Sequence, residues 1–392
     1  MYINRHAEKL LKTYTTIFPC VAVTGPRQSG KSTMVRRVFP EIPYVSFDDP
    51  DEELAFRTDP KGFLARFSGP VILDEVQRVG ELFRYIKLSV DADPGMKGRF
   101  ILTGSNQLTL RKEIGESLAG RIGLLSLLPF ELAEMPEATR ADQILYGGYP
   151  ALATNANRGA KEWFASYVAT YLEKDVWLVF DIGKLVDFQR LLRLLAARAA
   201  QELNASAVSR EIGVSSNTVD SWVSVLEAGY IVFRLPPFHA NLGKRLIKRP
   251  KVYFHDTGLV SYLTGIRDRE SLEAGPLGGP LFENFIIAEL IKRSLHGGED
   301  KEFFFYRDNS GNEIDLIIQD RDRHETTFLE IKSGFTAKPA WAERLEKTAS
   351  LIEASVTDPG TAFKCVVIYR GETKRNWPKA GIDFINYEEA LL

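Results

Sequence analysis

The most definite chemistry in this 392-residue chain lies in Gly25, Pro26, Arg27, Gln28, Ser29, Gly30, Lys31 and Ser32, with Thr33 directly behind them. They fit G-x-x-x-x-G-K-[ST], the spacing at which a glycine-rich turn points backbone N–H groups at phosphate oxygens. Gly25 and Gly30 let the main chain wrap closely, and the N-terminus of the following helix adds a partial positive charge. Lys31 is then the cation for the β and γ phosphates, and the Ser32 hydroxyl is a magnesium ligand. The context suits the motif: an apolar strand, Cys20-Val21-Ala22-Val23, precedes it and a helical pattern, Met34-Val35-Arg36-Arg37-Val38, follows. A second part fits the first. The run Val71-Ile72-Leu73 ends in Asp74 and Glu75, one carboxylate to hold magnesium and one to take a proton from the attacking water. The plainer alternative is a buried strand capped by two acids. Asn106, just past the strand Arg99 to Thr103, is placed to orient that water or to read the γ-phosphate. The expected ligands are ATP and Mg2+.

A second constellation lies far downstream. In a strand from Asn312 to Ile318, period-two alternation puts Glu313 and Asp315 on one face and Ile314 and Leu316 on the other. In the strand from Thr327 to Gly334 it puts Glu330 and Lys332 together with Ile331 turned away. Both strands thus aim charges at one side of an otherwise apolar sheet, and Glu283 on the helix before them is a third acid. Like unit charges about 4 Å apart repel by roughly 4 kcal/mol at an effective dielectric near 20, so such a group calls for a divalent cation. Oxygen ligands suit magnesium, or manganese. The alternative is a sheet whose outward face is simply charged.

Those two clusters need scaffolds. The length predicts two or three domains, and 44% hydrophobic and 26% charged residues describe an ordinary globular chain. A net charge of −2 leaves nucleic-acid binding to local patches. Cys20 and Cys365 are the only cysteines, which excludes a cysteine-based zinc site and suits a reducing compartment. The five histidines show no ligand spacing. No apolar run is long enough to span a membrane and the N-terminus lacks a signal-peptide core, so the expectation is a cytoplasmic protein. From Pro129 to about Ala205 the pattern is helical throughout, with Tyr167, Tyr171 and Trp177 as a core stripe. Over 205–235 a short helix, a turn at Gly213, a second helix capped by Ser215 and a strand predict a helix-turn-helix with a wing. Whether its second helix enters a DNA groove or only packs stays open. Lys244, Arg245, Lys248, Arg249 and Lys251 follow, a solvated face by default and a phosphate-tracking run beside such a module.

The order of phosphate loop, acidic pair, polar sensor and an arginine ahead of the fifth strand resembles the AAA+ ATPases. In that family such an arginine reaches a neighbouring subunit's nucleotide, which makes Arg121 the candidate finger and implies a homo-oligomer. The alternative is a surface arginine favoured by a helix C-terminus. Glu283, Asp315 and Glu330-x-Lys332 resemble the PD-(D/E)xK nuclease superfamily, the restriction-endonuclease-like fold. That resemblance implies a metal held by Asp315 and Glu330, with Lys332 orienting or deprotonating a water. The whole chain resembles bacterial and archaeal AAA+ ATPases whose C-terminal domain of unknown function has this nuclease-like fold. The expected fold class is α/β: an AAA+-like P-loop core over 1–135, a helical lid over 136–204, a winged helix over 205–250 and a nuclease-like domain over 251–392. The expected function is ATP-gated or ATP-driven cleavage of nucleic acid, DNA in the first instance. Its rival is an ATP-dependent switch or scaffold whose C-terminal domain only binds.

Overall fold

The computed structural model describes residues 2–104, 115, 117–172, 185–238, 249–354, 361–379 and 381–392, and the side chains of these except 171 and 172. Asn106, Trp177, Lys244, Arg245 and Lys248 lie outside the described residues.

Apolar runs buried on both faces make parallel strands, and the first unit is built of them. Strands β1 (Cys20–Thr24), β2 (Tyr44–Ser46), β3 (Val71–Asp74), β4 (Phe100–Thr103) and β5 (Ile122–Ser126) form a parallel sheet in the order β2-β3-β4-β1-β5. Alternation along β1 divides its core. Val21 and Val23 pack with Met34 and Val35 of helix α2 (Lys31–Val38) and with Ala7 and Leu11 of α1 (Ala7–Ile17). Cys20 and Ala22 face Phe83 and Ile86 of α3 (Leu82–Ala92) on the other side. The carboxyl ends of β1, β3 and β4 therefore open on one edge, where an open α/β sheet binds its ligands.

The middle of the chain is not helical throughout. After short helical turns and α4 (Leu185–Ala197), the two residues of β6 (Gln201–Glu202) pair with a strand about 50 residues on. Helices α5 (Ala205–Ile212) and α6 (Ser216–Ala228) flank a tight turn in which Gly213 has φ +84° and the Ser215 hydroxyl accepts the N–H of Thr218 at 3.0 Å. Strands β7 (Val232–Leu235) and β8 (Lys251–Phe254) close an antiparallel sheet in the order β6-β8-β7. The domain boundary expected at 250/251 thus falls inside this sheet, where β8 is the central strand.

Helix α7 (Gly278–Gly297) opens the last unit, and its Asn284 hydrogen-bonds both N and O of Phe254 at 2.8 Å, so the helix rides on β8. Strands β9 (Lys301–Arg307), β10 (Glu313–Asp320) and β11 (Glu325–Lys332) are antiparallel, and β12 (Ala362–Tyr369) and β13 (Ile382–Asn386) continue parallel to β11. Helix α7 covers one face through Leu316, Leu329 and Ile331. Helix α8 (Pro339–Glu353) covers the other through Ile314, Ile317 and Phe328. The expectation that Ile314 and Leu316 share a face fails here. The pairing of β10 with β9 slips between Ile314 and Ile317. A bulge adds one residue and restarts the alternation, so Leu316 turns to α7 while Ile314 and Ile317 both turn to α8.

Candidate functional site

The phosphate loop follows β1, and its glycines are required by geometry. A Cβ on Gly25, at φ +145°, would lie 2.1 Å from the carbonyl oxygen of Leu127. Gly30, at φ +93°, is the residue from which α2 starts, which leaves the first N–H groups of that helix aimed into the loop. Lys31 is buried, and its ammonium donates to the carbonyls of Gly25 at 3.0 Å and Pro26 at 2.7 Å. Burial lowers its pKa to about 8, against the pull of Glu75 and Asp74. The Ser29 hydroxyl is buried without a hydrogen-bond partner among the described residues. A cradle with no room for a Cβ at Gly25, an orphaned hydroxyl and an ammonium hydrogen-bonded to neutral carbonyls together fit a triphosphate.

Asp74 ends β3 across from the loop. Its carboxylate accepts the Thr103 hydroxyl, the Tyr44 hydroxyl at 2.5 Å and the N–H of Glu75 at 3.1 Å. Glu75 sits in the left-handed region at φ +54°, a conformation that costs a non-glycine residue energy and turns its carboxylate off the strand axis to meet the Gln77 amide. The contacts of Tyr44 and Thr103 with Asp74 and of Gln77 with Glu75 escaped the sequence reading. Tyr44 starts β2 and Thr103 ends β4, the strands that flank β3, and only the strand order 2-3-4 lets their hydroxyls reach Asp74.

Arg5 was also missed, because nothing in a helix-starting segment marks an arginine as internal. Its guanidinium donates to Ser29 O at 2.9 Å and Leu128 O at 2.7 Å and pairs with Glu134 at 3.1 Å. It clamps the phosphate loop from behind. Glu134 adjoins Glu131 and His296, the one trio of such side chains among the described residues whose ligand atoms all lie within 4.8 Å of one another. Every member is engaged. His296 accepts the Leu128 N–H on Nε2 at 3.0 Å and gives its Nδ1 hydrogen to Glu131, which ties the C-terminal end of α7 to the segment behind the loop. Two further contacts reach the loop: the Trp163 indole donates to Gln28 at 3.2 Å, and the Tyr230 hydroxyl meets Thr24 at 3.1 Å and Ser126 at 2.5 Å.

Arg121 precedes β5, at the opposite end of the sheet from its own phosphate loop, beside the N-terminus of β1. It pairs with Asp91 at 2.6 Å, and both side chains are exposed.

The C-terminal acids do come together, on lysines. Lys332 reaches Glu330 at 2.8 Å and Asp315 at 3.3 Å, and Asp315 also accepts the N–H of Ile331 at 2.7 Å. Glu283 accepts from the Tyr253 hydroxyl at 2.6 Å and from Lys251 at 3.2 Å, while Glu313 takes Lys251 at 2.8 Å. Lys251 therefore belongs to no solvent-facing basic run. It is buried, because β8 carries it into the acids. Burial, followed by the charge of Asp315, raises Glu283 and Glu330 to about 7. For Lys251 burial works downward, but Glu283, Asp315 and Glu313 outweigh it and hold the ammonium above its ordinary range. The acids do not converge on one point at ligand distance, so as they stand they do not present a divalent-ion site.

Residues 18–136 match the family described as AAA domain, residues 138–270 a domain of unknown function (DUF8612) and residues 278–389 another (DUF4143). The chain is 31% identical over 303 residues, 77% of its length and 68% of theirs, to the uncharacterized proteins Rv2008c of Mycobacterium tuberculosis and Mb2031c of Mycobacterium bovis. Among solved structures it is similar to the Walker-type ATPase paby2304 of Pyrococcus abyssi, at 16% identity, with 66% of this chain and 94% of that one covered and a TM-score of 0.47.

Proposed function

The chain belongs to one family with these mycobacterial proteins and its N-terminal part is an AAA domain of the P-loop ATPase kind; from that premise we propose an ATP-gated enzyme acting on nucleic acid. The proposed division is an ATPase core over 1–135, a lid over 136–204, a winged helix from 205 and a nuclease-like domain, with β8 counted in the winged-helix sheet that it centres. In the core, backbone N–H groups of residues 27–33 and the Lys31 ammonium bind and orient the phosphates. Magnesium held by Ser32 and Asp74 would neutralise phosphate charge when bound. Glu75 takes the proton of the attacking water, with Gln77 fixing its carboxylate. Arg121 acts on a neighbouring subunit.

For the C-terminal half, the supporting observation is that Lys332 bridges Asp315 and Glu330 while Glu283 lies near enough to Asp315 to feel its charge, on a sheet covered by a helix on each face. The partner is nucleic acid, DNA first. No helix among the described residues is long and apolar enough to cross a membrane. The test is an assay of the full-length protein on single- and double-stranded DNA and RNA, with and without ATP and Mn2+. Nicking that Glu330→Ala removes while binding persists is the expected result. Intact substrates in every nucleotide state would leave the second reading, a switch or scaffold that binds without cutting, which the lysine-paired acids favour.

A further inference from the structure

The four acids Glu283, Glu313, Asp315 and Glu330 face two ammonium groups, and the two arrive by different routes. Lys332 sits on β11 within the C-terminal sheet, next but one to Glu330, and is partly exposed. Lys251 comes from β8, a strand whose backbone is paired with β6 and β7 of the preceding unit. Its Nζ lies 2.8 Å from Glu313 and 3.2 Å from Glu283, above the Phe305 ring at 5.4 Å, and its side chain is 5% exposed. Tyr253, two residues on and so on the same face of β8, hydrogen-bonds Glu283 at 2.6 Å. Helix α7 is fixed to the same strand by Asn284. The middle unit thus inserts a cation and a hydroxyl into a carboxylate group that belongs to the last unit.

A magnesium or manganese ion needs carboxylate oxygens drawn to about 2.0–2.2 Å around one point. An ammonium satisfies the same charges at hydrogen-bond distance and leaves the oxygens apart. We propose that Lys251 is a built-in counter-cation that holds the C-terminal acids closed to a divalent ion, and that the site takes Mg2+ or Mn2+ only when β8 withdraws it. This rests on the nuclease-like reading of the last domain. The strand has a physical link to the nucleotide site: its hairpin partner β7 is preceded by Tyr230, whose hydroxyl bonds Thr24, the residue before Gly25. Lys251 is a positioning and blocking group here, not a catalytic residue.

The test measures Mn2+ binding to the full-length chain by calorimetry and by the shift of its melting temperature, in wild type, Lys251→Met, Lys251→Arg and Lys251→Met with Asp315→Asn. Lys251→Met is expected to bind Mn2+ at least about tenfold more tightly than wild type. Lys251→Arg should stay closed, and the added Asp315→Asn should remove the gain. If loss of the lysine leaves the acids too repulsive for a stable fold, Mn2+ should restore the melting temperature of Lys251→Met, or of the milder Lys251→Gln, while leaving wild type unmoved. Equal, tight binding by wild type and Lys251→Met would overturn the blocking role and leave the metal-site reading standing. No binding by either would overturn both, since a group that takes no divalent ion needs nothing to keep one out.

Discussion

Lys31 and Lys251 are both buried ammonium groups, and their surroundings are opposite. Lys31 leans on two main-chain carbonyls, and burial depresses its pKa to about 8. Lys251 sits among carboxylates that overcome the same burial. At the first site burial outweighs the pull of Asp74 and Glu75, so the ammonium gains by taking an anion. The second is already neutralised in part and gains little from another cation until its own is displaced. One region is built ready for its ligand, the other is built closed.

The largest expected effects are at the ready site. Lys31→Ala should lower ATP turnover by about 10²–10³ or more, as loss of a preorganised charge contact in a buried site does. Phosphate release under saturating ATP checks this, and unchanged turnover would remove the phosphate-loop assignment. Glu75→Gln should lower turnover by about 10²–10⁴ while ATP binding persists, because proton transfer is lost and the phosphate contacts are not. Binding lost in step with turnover would instead make Glu75 structural.

Next in size is Arg5→Ala. Removing one partner of a buried ion pair strands the other, which costs about 3–5 kcal/mol. Here Glu134 would lose its guanidinium partner and keep the N–H groups of His6 and Glu131, while Ser29 O and Leu128 O would lose their donor. Urea unfolding should show the loss, and ATP binding should weaken with it because the loop loses its rear clamp. A variant as stable as wild type would show that the clamp is dispensable.

Which parts of this were legible in the sequence follows from the range of the interactions. The phosphate loop, Asp74 and Glu75 are local: each role is set by neighbours within a few residues, so spacing alone places them. Glu283, Asp315 and Glu330 could be singled out as candidates because each lies on a regular element with its own pattern. Arg5, Tyr44, Thr103 and Tyr230 were not, since their roles arise from contacts between segments up to about 200 residues apart. The bulge at 314–317 was hidden because alternation assumes an unbroken ladder. Lys251 was assigned to a solvent-facing run for a related reason. Its charge was visible, but the sheet that turns it inward is closed by β6, a strand of two residues with no pattern to read.

The comparison also predicts a dependence on pH at the first site. Between about 8 and its ordinary 10.5, Lys31 holds fewer protons in the folded, ligand-free chain than in the unfolded one. Stability from this group therefore rises with pH across that window and is least below about 8. Phosphate favours the charged ammonium, so ATP binding above about 8 must take up a proton, and affinity should fall by up to about tenfold per pH unit. Calorimetry in two buffers of different ionisation heat measures the uptake. Lys31→Arg, which stays charged, should bind without it. An ATP affinity flat from pH 7 to 10 in wild type would mean that the ammonium stays fully charged despite its burial.

Arg121 is a third cation and gives the smallest effect on the folded chain. Its pair with Asp91 is exposed on both sides, and such pairs contribute about 0–1 kcal/mol. Asp91→Ala should therefore leave the melting temperature almost unchanged. That weakness is what a trans-acting arginine requires, because a guanidinium held as firmly as Lys251 could not leave its partner for a neighbour's phosphates. Arg121→Ala alone should lower turnover, and so should Glu75→Ala, each by spoiling one side of an interface. Mixed in equal amounts, the two should recover part of the activity wherever an intact Arg121 faces an intact Glu75. A mixture no more active than either variant would make Arg121 a surface residue that serves only its own chain, through Asp91 and the Ala119 carbonyl.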